Sequence, residues 1–281
     1  MLQKDLQIIH QCDIMRNIKS NEKKPEIYMK KYLAFVLILC LALPLVGCVY
    51  ENPVLDEIRS YEVATEIHSL DIHLNAADFA IEYGESFGVE SNLKFLSVTE
   101  KNGILTIFDK GKGNSNNYNN AKLTLYIPKD IVFDDVCIET GAAKMTVETL
   151  STASLELELG AGDVSIKQLN VTSRADIEGG AGAITVAGGT LNNLKLEMGV
   201  GELNLTAALL GNNEFDFGIG ESNLTVLGSK ADYRIDIEKG LGSVTVDGEK
   251  VTDFGTSGNG QHSLEIEAGI GAINLKFQEN E

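Results

Sequence analysis

A Gly-X-Gly step recurs through the second half of this chain at a spacing near 20 residues, and few folds accommodate such a period. The copies are Gly160-Ala161-Gly162, Gly180-Ala181-Gly182, Gly199-Val200-Gly201, Gly218-Ile219-Gly220, Gly240-Leu241-Gly242 and Gly269-Ile270-Gly271, with Gly141-Ala142-Ala143 as a degenerate first copy. Successive first glycines lie 19, 20, 19, 19, 22 and 29 residues apart. Three residues before each stands an apolar residue: Ile138, Leu157, Ile177, Leu196, Phe215, Ile237 and Ile266. Six residues after stands another: Val147, Ile166, Val186, Leu205, Leu224, Val246 and Leu275. Both positions match in every copy, which marks true repeats.

The period selects the architecture. It is too short for a four-stranded propeller blade, and the leucine-asparagine pattern of leucine-rich repeats is missing. One coil of a β-solenoid fits, with short strands stacked on their copies at about 4.8 Å. Each coil has to bend sharply between strands, and glycine supplies a positive φ or a close backbone approach there. The residue between the glycines is apolar in every copy, so the corner is expected to point it inward. Each coil is expected to stack on the next in chain order.

The preceding stretch, 61–135, alternates apolar and polar residues, as in Leu70-Asp71-Ile72-His73-Leu74 and Ile104-Leu105-Thr106-Ile107-Phe108. That alternation predicts half-buried strands. Asp109 to Asn120, rich in asparagine and glycine, reads as a loop. The fold class is therefore all-β: a single-chain β-solenoid of about 20-residue coils over 136–281, with a strand-rich N-terminal part over 61–135.

Upstream lies an address. Met29-Lys30-Lys31 opens a positive segment, followed by apolar residues from Tyr32 to Val46 and then Gly47-Cys48. The stretch is too short for a membrane span, which needs roughly 20 apolar residues, and it contains Pro44. Leu45-Val46-Gly47-Cys48 resembles a bacterial lipobox, in which the peptidase cuts after the residue at Gly47 and the thiol at Cys48 carries the lipid. The divisions that follow are 1–28, an over-extended start or a cytosolic extension; 29–47, the leader; and 48–60, a tether. Of the 23 basic and 41 acidic groups, seven and four lie in 1–47, leaving 16 basic against 37 acidic. A balance this acidic excludes a nucleic-acid partner. Cys137 is then the one cysteine beside the lipidated Cys48, so no intramolecular disulfide is expected.

With these elements in hand, Leu125-Tyr126-Ile127-Pro128 followed by Gly-X-Gly coils is similar to the DUF4097 β-strand repeat family. The resemblance covers roughly 61–277. It implies a solenoid on an exported or membrane-anchored bacterial protein, and the family is described as one of candidate adhesins. It supplies no catalytic residues.

The residues themselves offer little chemistry. Gly179-Gly180-Ala181-Gly182-Ala183 is followed by Ile184 where a calcium-binding nonapeptide needs aspartate. His68, His73 and His262 do not pair with a cysteine at zinc-ligand spacing, and His73 reads as solvent-facing. No cofactor is expected, and no unique carboxylate pair of the kind a glycosidase needs stands out. One pattern exceeds chance. Two residues before every first glycine stands an acid: Glu139, Glu158, Glu178, Glu197, Asp216, Glu238 and Glu267. Four before, five copies of seven carry another: Glu156, Asp176, Glu214, Asp236 and Glu265. Both positions alternate with the inward one and are expected to face solvent, as a solubilising face or a stripe for divalent cations or a basic peptide. The functional expectation is a membrane-anchored, non-enzymatic adhesion or interaction module on the extracytoplasmic face, with a cell-envelope component as a candidate partner. An envelope stress sensor binding a cationic ligand is the alternative, and a polysaccharide-acting β-helix enzyme the third.

Overall fold

The alternating stretches form strands, and the computed structural model describes residues 54–63, 66–111, 118–238, 240–252 and 255–279. The 1–28 extension, the 29–47 leader, Gly47 and Cys48 lie outside the described residues, as does part of the Asp109–Asn120 loop. All sixteen strands of the described residues belong to one sheet that coils on itself. Its centre is β7 (Phe133–Val186), which runs through successive coils without a break, followed by β8 (Gly189–Asn192), β9 (Leu194–Leu210) and β10 (Asn212–Leu227). Stacking is parallel and in register: Leu196 opposes Ile177 on one side and Phe215 on the other.

The inward positions are those the period marks. The apolar residue before each first glycine is buried in all seven copies, and the residue six after it is buried in all but Val246, which is half-buried in the outermost coil. Together they build one continuous core column. Burial of apolar area at about 25 cal/mol per Å² holds such a stack together coil by coil.

At both ends the chain departs from simple succession. At the front, β2 (Ser69–Gly84) stacks directly on the first coil of β7, with Ile72 opposite Ile138. The outer neighbours of β2 come later in the chain: β5 (Ile104–Asp109) and β6 (Lys122–Pro128). Antiparallel strands then close this end, β1 (Leu55–Glu62) and β3 (Gly88–Leu93) beyond β6, and β4 (Leu96–Lys101) beyond β5. At the back, β11 (Tyr233–Glu238) and β12 (Leu241–Val246) do not stack on β10. The final coil, β15 (His262–Glu267) and β16 (Ile270–Gln278), slots between them and pairs with β10 on one side. On its other side it pairs with β11 and β12. Spatially the glycine corners therefore run 141, 160, 180, 199, 218, 269, 240, which corrects the expectation of chain-order stacking. The 29-residue spacing before Gly269 is the detour: it contains β13 (Glu249–Lys250) and β14 (Gly255–Ser257), which cap the outermost coil antiparallel.

Candidate functional site

The corners carry two glycine columns. Gly201 has φ +149°, and a Cβ there would lie 1.8 Å from the carbonyl oxygen of Gly182. Gly199 has no positive φ, yet a Cβ would still fall 2.4 Å from the oxygen of Gly180. The first column is thus glycine for close stacking alone, and the second, except at Gly242, for stacking and backbone conformation together. In the degenerate first copy Ala143 takes the second position without a positive φ, buried against the core.

Beside these columns runs the acidic ladder. Glu178 opposes Glu197, Glu197 opposes Asp216, Asp216 opposes Glu267, and Glu267 opposes Glu238. Glu139, Glu158, Glu178, Glu197 and Asp216, with the adjoining corner glycines, line a single groove of about 570 Å³. Like charges at the coil spacing repel by about 0.9 kcal/mol per neighbouring pair in water, before screening. Some local relief exists, since Lys195 pairs with Glu197.

The ladder starts beside a histidine. His73 opposes Glu139 in register, and its Nδ1 lies 2.8 Å from that carboxylate while Nε2 lies 2.7 Å from Asp71. Its ring tilts against Phe108, and the side chain is only 12% exposed, which corrects the solvent-facing reading. Burial by itself lowers the imidazole pKa, but the hydrogen bonds and charges of Asp71 and Glu139 outweigh it and hold the pKa above the ordinary value.

Three further corrections concern neighbouring positions. Glu156 and Asp176 are buried rather than solvent-facing; Asp176 accepts a 2.9 Å bond from Arg174. Cys137 is buried and disulfide-bonded, against the expectation of no disulfide, and its bonding partner lies outside the described residues. The residues between the glycines point outward: Val200, Ile219, Ile270 and Leu241 are 52, 49, 48 and 73% exposed. Period-two alternation from Met198 would have turned Val200 inward, but the coil bends there, Gly199 and Val200 both face solvent, and the next inward residue is Leu203.

Sequence reasoning also missed an outward polar ladder. Asn223 donates to Asn204 at 3.0 Å, Asn274 donates to Asn223 at 2.9 Å, and Thr245 donates to Asn274 at 2.9 Å. All four stand five residues after a first glycine, so the same repeat alignment contains the signal. A further asparagine, Asn213, is fully buried; it donates to the Ser263 carbonyl and accepts from the Leu194 N–H, tying three coils together. Among the described residues no three His, Cys, Asp or Glu side chains converge as a metal-holding group, and no helix is long and apolar enough to cross a membrane. The acidic ladder is a line of charge, not a coordination shell.

Comparison with known proteins places this geometry. The family model described as Toastrack DUF4097 matches residues 65–276. No curated protein matches the chain in sequence. Among solved structures, a candidate adhesin from Bacteroides fragilis is similar at TM-score 0.51 and 15% identity, over 78% of this chain and 95% of that one. A candidate adhesin from Parabacteroides distasonis shows TM-score 0.43 and 13% identity, over 79% of this chain and 98% of its own. At these identities the likeness, carried by the first of the two, is one of fold.

Proposed function

Since this chain belongs to the Toastrack DUF4097 family, we propose that it is a lipid-anchored extracytoplasmic module that binds a partner rather than transforming one. In this reading the leader 29–47 is removed after Gly47, Cys48 carries the lipid, and the short stretch ahead of β1, rather than the whole of 48–60, spaces the solenoid from the membrane. Two or more acyl chains at one cysteine give a stable anchor, at about 0.8 kcal/mol per buried methylene.

One observation carries the binding role: five successive coils each contribute an acid to a single groove. An enzyme needs a unique constellation, whereas a groove built from equivalent rungs suits many weak contacts along an extended partner. The charge selects a basic partner, either an envelope component to which the module adheres or a cationic peptide that it senses. Divalent cations would act as a diffuse atmosphere along the ladder.

The anchor and the groove are tested separately. A fatty-acid analogue should label the full-length protein but not Cys48→Ser, which should leave the membrane fraction. An equally membrane-bound variant removes the anchor. A lysine-rich peptide should bind the full-length protein with strong salt dependence, and changing Glu158, Glu178 and Glu197 together to glutamine should weaken it about tenfold. Equal binding by that variant removes the groove.

A further inference from the structure

The outward apolar residues are not something the corner requires. Ala142, Ala161 and Ala181 occupy the same position in earlier coils and are exposed there, so a methyl group suffices to make the turn. In the next four stacked coils the position instead holds Val200, Ile219, Ile270 and Leu241, each about half exposed or more. They are register partners in that order, Val200 with Ile219, Ile219 with Ile270 and Ile270 with Leu241. At the coil spacing they make an unbroken apolar strip about 14 Å long.

The strip is rimmed by charge. On one side Glu202 and Glu221 oppose each other in register, and on the other the acidic ladder continues through Glu197 and Glu238. Gly199 and Gly218, which line the acidic groove, immediately precede Val200 and Ile219 in the chain. A contiguous exposed apolar patch with a polar rim marks a docking surface. We propose that this strip and the groove form one surface whose occupant is a basic amphipathic segment of a partner protein, with apolar side chains on the strip and Lys or Arg on the acidic rims. This deepens the binding reading above and rests on it.

Charge complementarity chooses this occupant over the others. An anionic lipid surface would press phosphates against Glu202, Glu221 and Glu238, and a second copy would oppose rims of the same sign. The mode is docking of side chains, not strand addition, because Val200, Ile219 and Ile270 each have a paired coil on both sides.

The test uses the full-length protein and two peptides of equal length and charge, one alternating lysine with leucine and one alternating lysine with serine. The leucine peptide is expected to bind about tenfold tighter, as burial of a few half-exposed aliphatic side chains implies. The combined variant Val200→Ala, Ile219→Ala, Leu241→Ala and Ile270→Ala should abolish that preference and leave the serine peptide unchanged. Since alanine is resident at the equivalent corners, its melting temperature should stay within about 2 °C of the parent. Equal affinity for the two peptides, or a preference that survives the alanine variant, overturns the strip while leaving the groove standing. Binding of neither peptide overturns both. Strip-dependent binding to phosphatidylglycerol vesicles in preference to the peptides overturns the choice of occupant.

Discussion

Replacing Gly201 by alanine adds a single carbon, and its cost follows from two separable contributions. The backbone there sits at φ +149°, a conformation that costs an L-residue about 1–3 kcal/mol. The new Cβ would also start 1.8 Å from the oxygen of Gly182 and 2.9 Å from its carbonyl carbon, both backbone atoms of the next coil. Relief requires the two coils to part at the corner, loosening one or two inter-coil hydrogen bonds at about 1 kcal/mol each. The sum is about 2–5 kcal/mol, which for a domain of this size lowers the melting temperature by roughly 10 °C. Gly199→Ala meets only the steric contribution, with its Cβ 2.4 Å from the oxygen of Gly180, and should lose less. Val200→Ala, between them and facing outward, should change nothing measurable. Differential scanning calorimetry on the three variants gives the ranking, and a calorimetric enthalpy checks that the stack melts as a unit. If Gly201→Ala melts within 1 °C of the parent, or below neither neighbour, the reasoning from the corner geometry fails.

Two predictions concern buried polar groups. The His73 clamp raises the imidazole pKa, so its stabilisation is full below the unfolded value near 6.5 and is lost as pH rises through the higher folded value. Melting temperature plotted against pH should therefore converge for parent and His73→Gln toward alkaline pH; curves parallel across that range would show that the clamp contributes no titrating stabilisation. Asn213→Ala leaves the Leu194 N–H and the Ser263 carbonyl without that partner and should cost about 2–4 kcal/mol, read by denaturant unfolding, with faster amide exchange at Leu194. Unchanged exchange there would mean the bond is not formed in solution.

The solenoid was readable because its determinants are local and repeated. Ile177, Leu196 and Phe215 sit at one position of the period, and the structure buries all three in one column. Which coil neighbours which is a different kind of information. Gly240-Leu241-Gly242 and Gly269-Ile270-Gly271 match the corner of β10 equally well, so no local pattern says that the later one docks first. Only the stretched spacing hinted at it. The outward turn of Ile219 was hidden for a related reason: alternation predicts direction along a straight strand, and it does not carry across the bend of a coil. His73 was misread because its two carboxylate partners come from different places, Asp71 from its own strand and Glu139 from the next coil. The acidic ladder itself was visible residue by residue, but its concavity, the groove, exists only once the coils are stacked.

The insertion of the last coil gives the molecule a sense of completion. Residues 233–246 are made before the strands that will lie between them and β10, so until His262–Gln278 arrives their inner side has either no neighbour or the wrong one. A direct pairing with β10 would satisfy the same glycines and the same core positions, and the late coil must then displace it. Assembly at this end consequently waits on residues 262–278, and long-range pairing of this kind is slow and leaves apolar surface open while it waits. A chain cut short before residue 262 would carry every preceding rung and still present an unfinished edge, recognisable as such by any protease that samples open strands.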